Sequence, residues 1–377
     1  MTKIFACGDI VNYGNNSGIL CSDELEKIIK SSDYAICNFE APVSGFGQPM
    51  PKSGPHLHQS AKTIFGLKEQ GFDLLLLANN HILDYGCDGL LGTITTAQQA
   101  GLDTIGAGLS ADTAYQPLIK NIEKLKIGII NACEAQFGVI DHFDRNEKSG
   151  YAWINHPIID KTILALKKEC DFVIVFSHAG LENYSIPQKE WRHRYKHLCD
   201  LGADVIIGSH PHVPQGYEKH NSSLIFYSLG NFYFDYGYAC NYENPTYSVM
   251  LDLKKGAPPE FEPIFHATKN KKVEISNNTI DLEMLCDKLG ISYQKEHDEM
   301  SLTAYEKIIR RHLITSASDI PFDGTIRGTL KELAATILGR RRKFNKNLTQ
   351  LHFMRNEAYY YAATHALRLK AETSEEG

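Results

Sequence analysis

Asp9, Glu40, Asn80, His178, His210 and His212 share one habit of placement: each stands at or just beyond the end of a short apolar run. Asp9 follows Cys7-Gly8, and Glu40 follows Cys37-Asn38-Phe39. The run 74–78 leads into Asn79-Asn80-His81-Ile82-Leu83-Asp84-Tyr85-Gly86, and the run 172–176 into Ser177-His178. The run 205–207 leads into Gly208-Ser209-His210-Pro211-His212. A buried polar group without a partner costs about 1–3 kcal/mol, so amides, carboxylates and imidazoles gathered this way need hydrogen bonds or a metal. Each signal also has an ordinary reading. Gly-Asp after a strand is a common turn, paired asparagines cap helices, and a lone strand-end histidine is more often a hydrogen-bonded core residue. The H-x-H pair shifts the balance, because two imidazoles in an extended or turn segment can reach neighbouring ions. The donor set, oxygen and imidazole with no thiolate, suits divalent Mn, Fe or Zn. A carboxylate able to bridge would hold two such ions ~3.5–4 Å apart, as in binuclear hydrolases.

The elements that must position these residues are legible in outline. Residues 4–7, 34–38, 74–78, 127–131, 172–176, 205–207 and 224–227 are brief apolar runs bounded mostly by Gly, Asp or Asn, the pattern of strands buried on both faces. Amphipathic stretches at 23–30, 59–70, 89–100 and 186–201 alternate with them. Such alternation predicts α/β layers, and strand C-terminal ends are where open α/β sheets build their sites. Beyond about residue 240 the texture changes. Residues 247–254 alternate like an exposed-edge strand, 273–275 is a last strand candidate, and 282–289, 301–314 and 326–369 read as helical. We place a boundary near residue 275, giving units 1–275 and 276–377.

With 43% hydrophobic and 22% charged residues the chain has the balance of a soluble globular protein. A formal charge of −6 gives no general reason to bind nucleic acid. The basic run Arg340-Arg341-Arg342-Lys343 is the local exception, readable as a solvated helix face or an anionic contact. No apolar run reaches the ~18 residues that span a bilayer, and no signal-type segment opens the chain. Nine cysteines, an odd number without a C-x-x-C pair, point to reduced thiols and a cytoplasmic setting.

Taken in order, Gly-Asp at 8–9, Asn-Phe-Glu at 38–40, Asn-Asn-His-x-x-Asp-Tyr-Gly at 79–86, His-x-Gly-x-Glu at 178–182, Gly-Ser-His-Pro-His at 208–212 and Ser-Leu-Gly-Asn-Phe at 228–232 resemble the CapA family. That family, associated with poly-γ-glutamate and other capsule synthesis, is similar to the calcineurin-like metallophosphoesterases. The resemblance covers roughly residues 2–255 and implies a four-layer α/β/β/α sandwich followed by a C-terminal helical region. It implies that Asp9 and His212 hold a first metal, that Asn80, His178 and His210 hold a second, and that Glu40 bridges. It implies that His81 is the general acid or a donor to a substrate oxygen, oriented by Asp84. Two departures from the phosphoesterase pattern stand out: Val11 occupies the place of a first-motif histidine, and Glu40 replaces an aspartate. The first metal is therefore expected to be under-coordinated.

The expected activity is metal-dependent hydrolysis, with activated water attacking a phosphoester or a γ-glutamyl amide in capsule or polyanionic polymer synthesis. Lys52 and His56, in a Gly/Pro-rich loop, would meet an anionic small-molecule or polymer substrate or simply lie at the surface. Glu182 would orient an imidazole, touch substrate or form a rim salt bridge, and Asn231 is a substrate-side candidate. The competing expectation is a non-catalytic accessory protein that binds a capsule polymer or a capsule-synthesis partner protein. A metal-free glycosidase using Asp9 and Glu40 as paired carboxylates leaves three strand-end histidines unexplained.

Overall fold

Along the first strand, Thr2–Val11, neighbouring side chains enter different apolar environments. Ile4 and Ala6 join Ile127, Ile174 and Ile207 in one core, whereas Phe5 and Cys7 join Leu25, Ile29 and Leu67 in another. Period-two alternation with both sets apolar is the mark of a strand covered on both faces. In the computed structural model, which describes residues 1–142, 149–237, 244–277, 279–317, 326–338 and 346–375, this pattern resolves into two facing sheets.

The first sheet runs in the order Lys272–Ile275, Glu260–Lys269, Thr246–Leu253, Thr2–Val11, Tyr34–Phe39, Leu74–Leu76, Asp103–Ile105, with Asn231–Phe234 added alongside Thr2–Val11. The second runs Tyr217–His220, Ser223–Phe226, Val205–Ser209, Phe172–His178, Leu125–Cys133, Leu118–Ile122. Their facing sides share one apolar core. On the outer side of the first sheet lie the helices Asp23–Lys30, Ala61–Glu69 and Gly86–Ala100; Pro157–Leu166 and Lys189–Asp200 cover the second. The architecture is the expected α/β/β/α sandwich.

Parallel pairing decides where the polar residues go. Thr2–Val11 pairs parallel with Tyr34–Phe39, which pairs parallel with Leu74–Leu76. Phe172–His178 is parallel to both Leu125–Cys133 and Val205–Ser209, with His178 level with Cys133 and Ser209. The C-terminal ends of both sets therefore fall on one edge of the sandwich. Gly8 is required there: a Cβ would stand 1.8 Å from the Gly230 carbonyl oxygen, so only glycine lets the two chains meet. The register shifts between Cys7 and Asp9, a bulge that re-aims the aspartate.

Three expectations need correction. The strand Thr246–Leu253 is no exposed edge; it lies between Thr2–Val11 and Glu260–Lys269, with Tyr247, Val249, Leu251 and Leu253 in the inter-sheet core. The run 74–78 is shorter as a strand, because the Ala78 amide leaves the ladder and donates to Asn131 Oδ1 at 2.7 Å. The stretch 326–369 is not continuous: its described parts are the helices Ile326–Ile337, Lys346–Arg355 and Glu357–Glu375. Asn356 ends one of these and caps the next, its Oδ1 accepting from the Tyr359 amide at 2.8 Å.

The C-terminal helices pack on the sandwich, where Met300, Ala304, Phe353, Ala358 and Ala362 bury Leu181 and Ile186. Arg355 pairs with Asp141 at 2.7 Å, and Gln188 Nε2 donates to the Ala358 carbonyl at 2.8 Å. The basic run 340–343 lies outside the described residues. Among the described residues no helix is long and apolar enough to cross a membrane.

Candidate metal centre

At the shared edge the first sheet contributes Asp9, Asn38, Glu40 and Asn80, and the second contributes Glu134, His178, His210 and His212, all buried. Asp9 is held from two sides: Oδ1 accepts from Asn38 Nδ2 at 2.6 Å, and Oδ2 accepts from the His210 amide at 3.1 Å. His178 Nδ1 lies 3.0 Å from Asn38 Nδ2, and its Nε2 lies 3.1 Å from Asn80 Oδ1 and 3.6 Å from Glu40 Oε1. His212 Nδ1 stands 2.9 Å from Asn231 Oδ1 and 3.5 Å from Asp9 Oδ2.

His210 and His212 have φ of 95° and 59°, in the left-handed region that non-glycine residues rarely adopt. Pro211 between them restricts the turn further. The strain keeps the two rings on the same edge, their centroids 5.9 Å apart.

Among the described residues the donors form three overlapping triads, one of them Glu182, His210 and His212, and the other two share Glu40. Asp9, Glu40 and His212 offer ligand atoms within 4.8 Å of one another, and so do Glu40, His178 and His210. Both Glu40 oxygens and His210 Nδ1 are buried with no hydrogen-bond partner among the described residues. Buried polar atoms seldom go unpaired. Burial, then the neighbouring Asp9, push the Glu40 carboxyl well above its ordinary range. For His212 burial opposes the charge, but Glu40 and Asp9 outweigh it and push the imidazole up to about 10. Burial holds His178 and His210 well below the usual histidine value. Orphaned oxygen and nitrogen atoms, converging without a thiolate, fit divalent cations.

His81 stands at the rim of this cluster. Its Nδ1 is 2.7 Å from Asp84 Oδ2, which also accepts from the Leu57 amide at 2.6 Å. Lys52 pairs with Asp84 and lies 3.3 Å from His81 Nδ1. Burial lowers the pKa of His81, with Asp84 opposing and Lys52 reinforcing the shift. His81 and Glu182 line two adjoining cavities, of about 390 and 540 Å³. The larger also reaches His212 and Phe234; the smaller is walled by Lys52, Asn80, Gln136 and, from the C-terminal helices, His312, His352 and Tyr359. His56 lines neither, its Nε2 lying 2.7 Å from the carbonyl of Met50 in its own loop. Val11 packs with Ala41, Leu57 and Phe234, so the first-motif position is apolar.

Two participants went unread in the sequence. Glu134 ends its strand as Glu40 does, and the same pattern would have found it; Asn38 stood only as part of the Asn-Phe-Glu motif, with no role given to it.

With this geometry established, the chain can be set beside known proteins. The family model for the bacterial capsule synthesis protein PGA_cap matches residues 3–236. The chain belongs to this family. The matched span includes every candidate residue of the edge cluster and stops before the C-terminal helices. Capsule biosynthesis protein CapA of Bacillus anthracis, a relative, is 35% identical over 308 residues, covering 76% of this chain and 71% of that protein. PGA biosynthesis protein CapA of Bacillus subtilis strain 168 is 31% identical over 274 residues, or 70% of each chain. A solved calcineurin-like phosphoesterase, YfkN from Bacillus subtilis, is similar over 79% of this chain and 98% of its own, with a TM-score of 0.39 and 14% identity.

Proposed function

We propose that this family member is a metal-dependent hydrolase of the metallophosphoesterase type, acting on an anionic substrate in capsule or related polymer synthesis. The observation that carries the reading is Glu40: a fully buried carboxylate with both oxygens unpartnered, shared between two donor triads. Two divalent ions, of Mn, Fe or Zn type, would supply positive charge and activate water for attack on a phosphoester or γ-glutamyl amide. Asp9 and His212 would hold one, Asn80, His178 and His210 the other, with Glu40 placed between the two sets. Asn38 orients both Asp9 and His178 through its amide nitrogen. His81, held at Nδ1 by Asp84 and lining both cavities, would donate a proton to the leaving group. Lys52 holds Asp84 in place, while Glu182 lines the substrate side.

A second reading, a binding protein for a polymer or its synthase without turnover, draws on Val11. Its apolar packing leaves the first triad one donor short of the phosphoesterase pattern. The two readings separate in one experiment, elemental analysis and p-nitrophenyl phosphate hydrolysis for wild type and a His210→Ala/His212→Ala variant. Two ions per chain, lost with hydrolysis in the variant, are the expected outcome. Ion uptake without turnover of this or any γ-glutamyl amide supports the binding protein, and no uptake under Mn or Zn removes the metal reading altogether.

A further inference from the structure

His210 is backed by the segment Glu134-Ala135-Gln136. Its Nε2 lies 3.8 Å from Glu134 Oε1 and 3.4 Å from Gln136 Nε2, leaving Nδ1 as the unpartnered atom. Gln136 Oε1 also accepts from Asn80 Nδ2 at 3.5 Å, so one short segment stands behind two donors of the same triad side. A ring whose far nitrogen is fixed presents its near nitrogen in a defined direction, and such outer contacts set ligand geometry.

Three contacts hold this segment's amides. Glu134 N donates to the His178 carbonyl at 3.0 Å, and Gln136 N donates to the Tyr151 hydroxyl at 2.9 Å. The central amide, Ala135 N, donates at 2.7 Å to Glu357 Oε2, a side chain 222 residues away at the start of the last helix. Glu357 accepts from Trp153 Nε1 at 2.9 Å, Asn155 Nδ2 at 2.8 Å and the Tyr361 hydroxyl at 3.3 Å as well. These four donors are uncharged, and together they approach the full acceptor capacity of a carboxylate. A carboxylate used this way fixes directions instead of balancing a charge.

We infer that Glu357 is a positioning residue of the metal centre, through which the C-terminal helices hold the Asn80–His178–His210 side in register. The inference rests on the metal-dependent reading proposed above. Its consequence is asymmetric: the Asp9–His212 side has no contact with the 134–136 segment in the described hydrogen bonds and is left intact when Glu357 is removed.

The test is a Co²⁺ titration by calorimetry of the full chain, in wild type, Glu357→Ala, Glu357→Gln and Arg355→Ala. Arg355→Ala cuts the neighbouring Asp141 ion pair without touching the segment. The expected result is two binding steps in wild type, one of them weakened about 10–100-fold in Glu357→Ala and the other unchanged. Glu357→Gln, which keeps an acceptor oxygen, falls between, and Arg355→Ala matches wild type. Equal weakening of both steps, or the same loss in Arg355→Ala, overturns the inference in favour of general docking. If wild type takes up no ion, the metal reading fails by itself, and ring ¹⁵N shifts of the ion-free protein decide. A change at His210 with none at His212 in Glu357→Gln upholds the positioning role; no change at either overturns it.

Discussion

Glu40 is a fully buried carboxylate with Asp9 as a close neighbour. Its oxygen lies 4.0 Å from His212 Nε2, so the raised carboxyl and the raised imidazole describe one proton contested by a buried pair. A carboxyl held high in the folded state contributes stability below its unfolded pKa and loses it as pH rises. Ion-free protein is therefore expected to weaken above the ordinary glutamate range, and Glu40→Gln to flatten that dependence. Read by urea melts, the variant should lose stability less steeply than ion-free wild type as pH rises, and lose the stabilisation that added Mn or Zn gives wild type. Unchanged ion-free stability would mean that Glu40 meets no electrostatic penalty. Much at this scale was legible from type and position, because polar residues after doubly buried strands have few places to go. The Lys52–Asp84 pair was not, since it depends on how a Gly/Pro-rich loop folds back over some 30 positions.

Among elements, the helix Lys189–Asp200 is tied to the strand Tyr217–His220 by Glu218. Its carboxylate receives Arg192 through two bonds of 2.9 Å, Lys196 at 2.7 Å and the Tyr227 hydroxyl at 2.8 Å. Burial opposes the charge, but these partners outweigh it and hold the carboxyl at about 2. With the folded value depressed, the stabilisation is present above the unfolded pKa and fades as pH falls from about 4.5 to about 2. Glu218→Gln should cost about 1–2 kcal/mol at pH 7, allowing for screening at a part-exposed site, and little near pH 2. A penalty that does not shrink on acidification would assign the effect to packing. Four of the helices over the sandwich declared themselves by period, Asp23–Lys30 at its observed bounds, whereas Pro157–Leu166 went unread. The strand Glu260–Lys269 did not, because Glu260, Glu262 and Pro263 break the apolar pattern on a strand near the sheet margin.

For the whole molecule, the sequence suggests a boundary near residue 275, but the contacts across it are extensive. The C-terminal helices bury Leu181 and Ile186, wall one cavity at His81, and send Glu357 into the segment behind His210. We expect a chain ending at residue 280 to aggregate or bind a dye for exposed apolar surface, whereas two independent units would leave it monomeric with an unchanged melting temperature. The α/β alternation was readable because it is local, and the sandwich followed from the family resemblance; the docking was not, because it is written in contacts hundreds of residues apart. The pairing of Gly8-Asp9 with Gly230-Asn231 carries a consequence for biosynthesis. The strand at the centre of the first sheet is made well before the strand that completes its edge. At roughly 5–20 residues per second on the ribosome, about 220 intervening residues mean on the order of 10–45 s with one edge of that strand waiting. The site can therefore mature only once the second half has emerged.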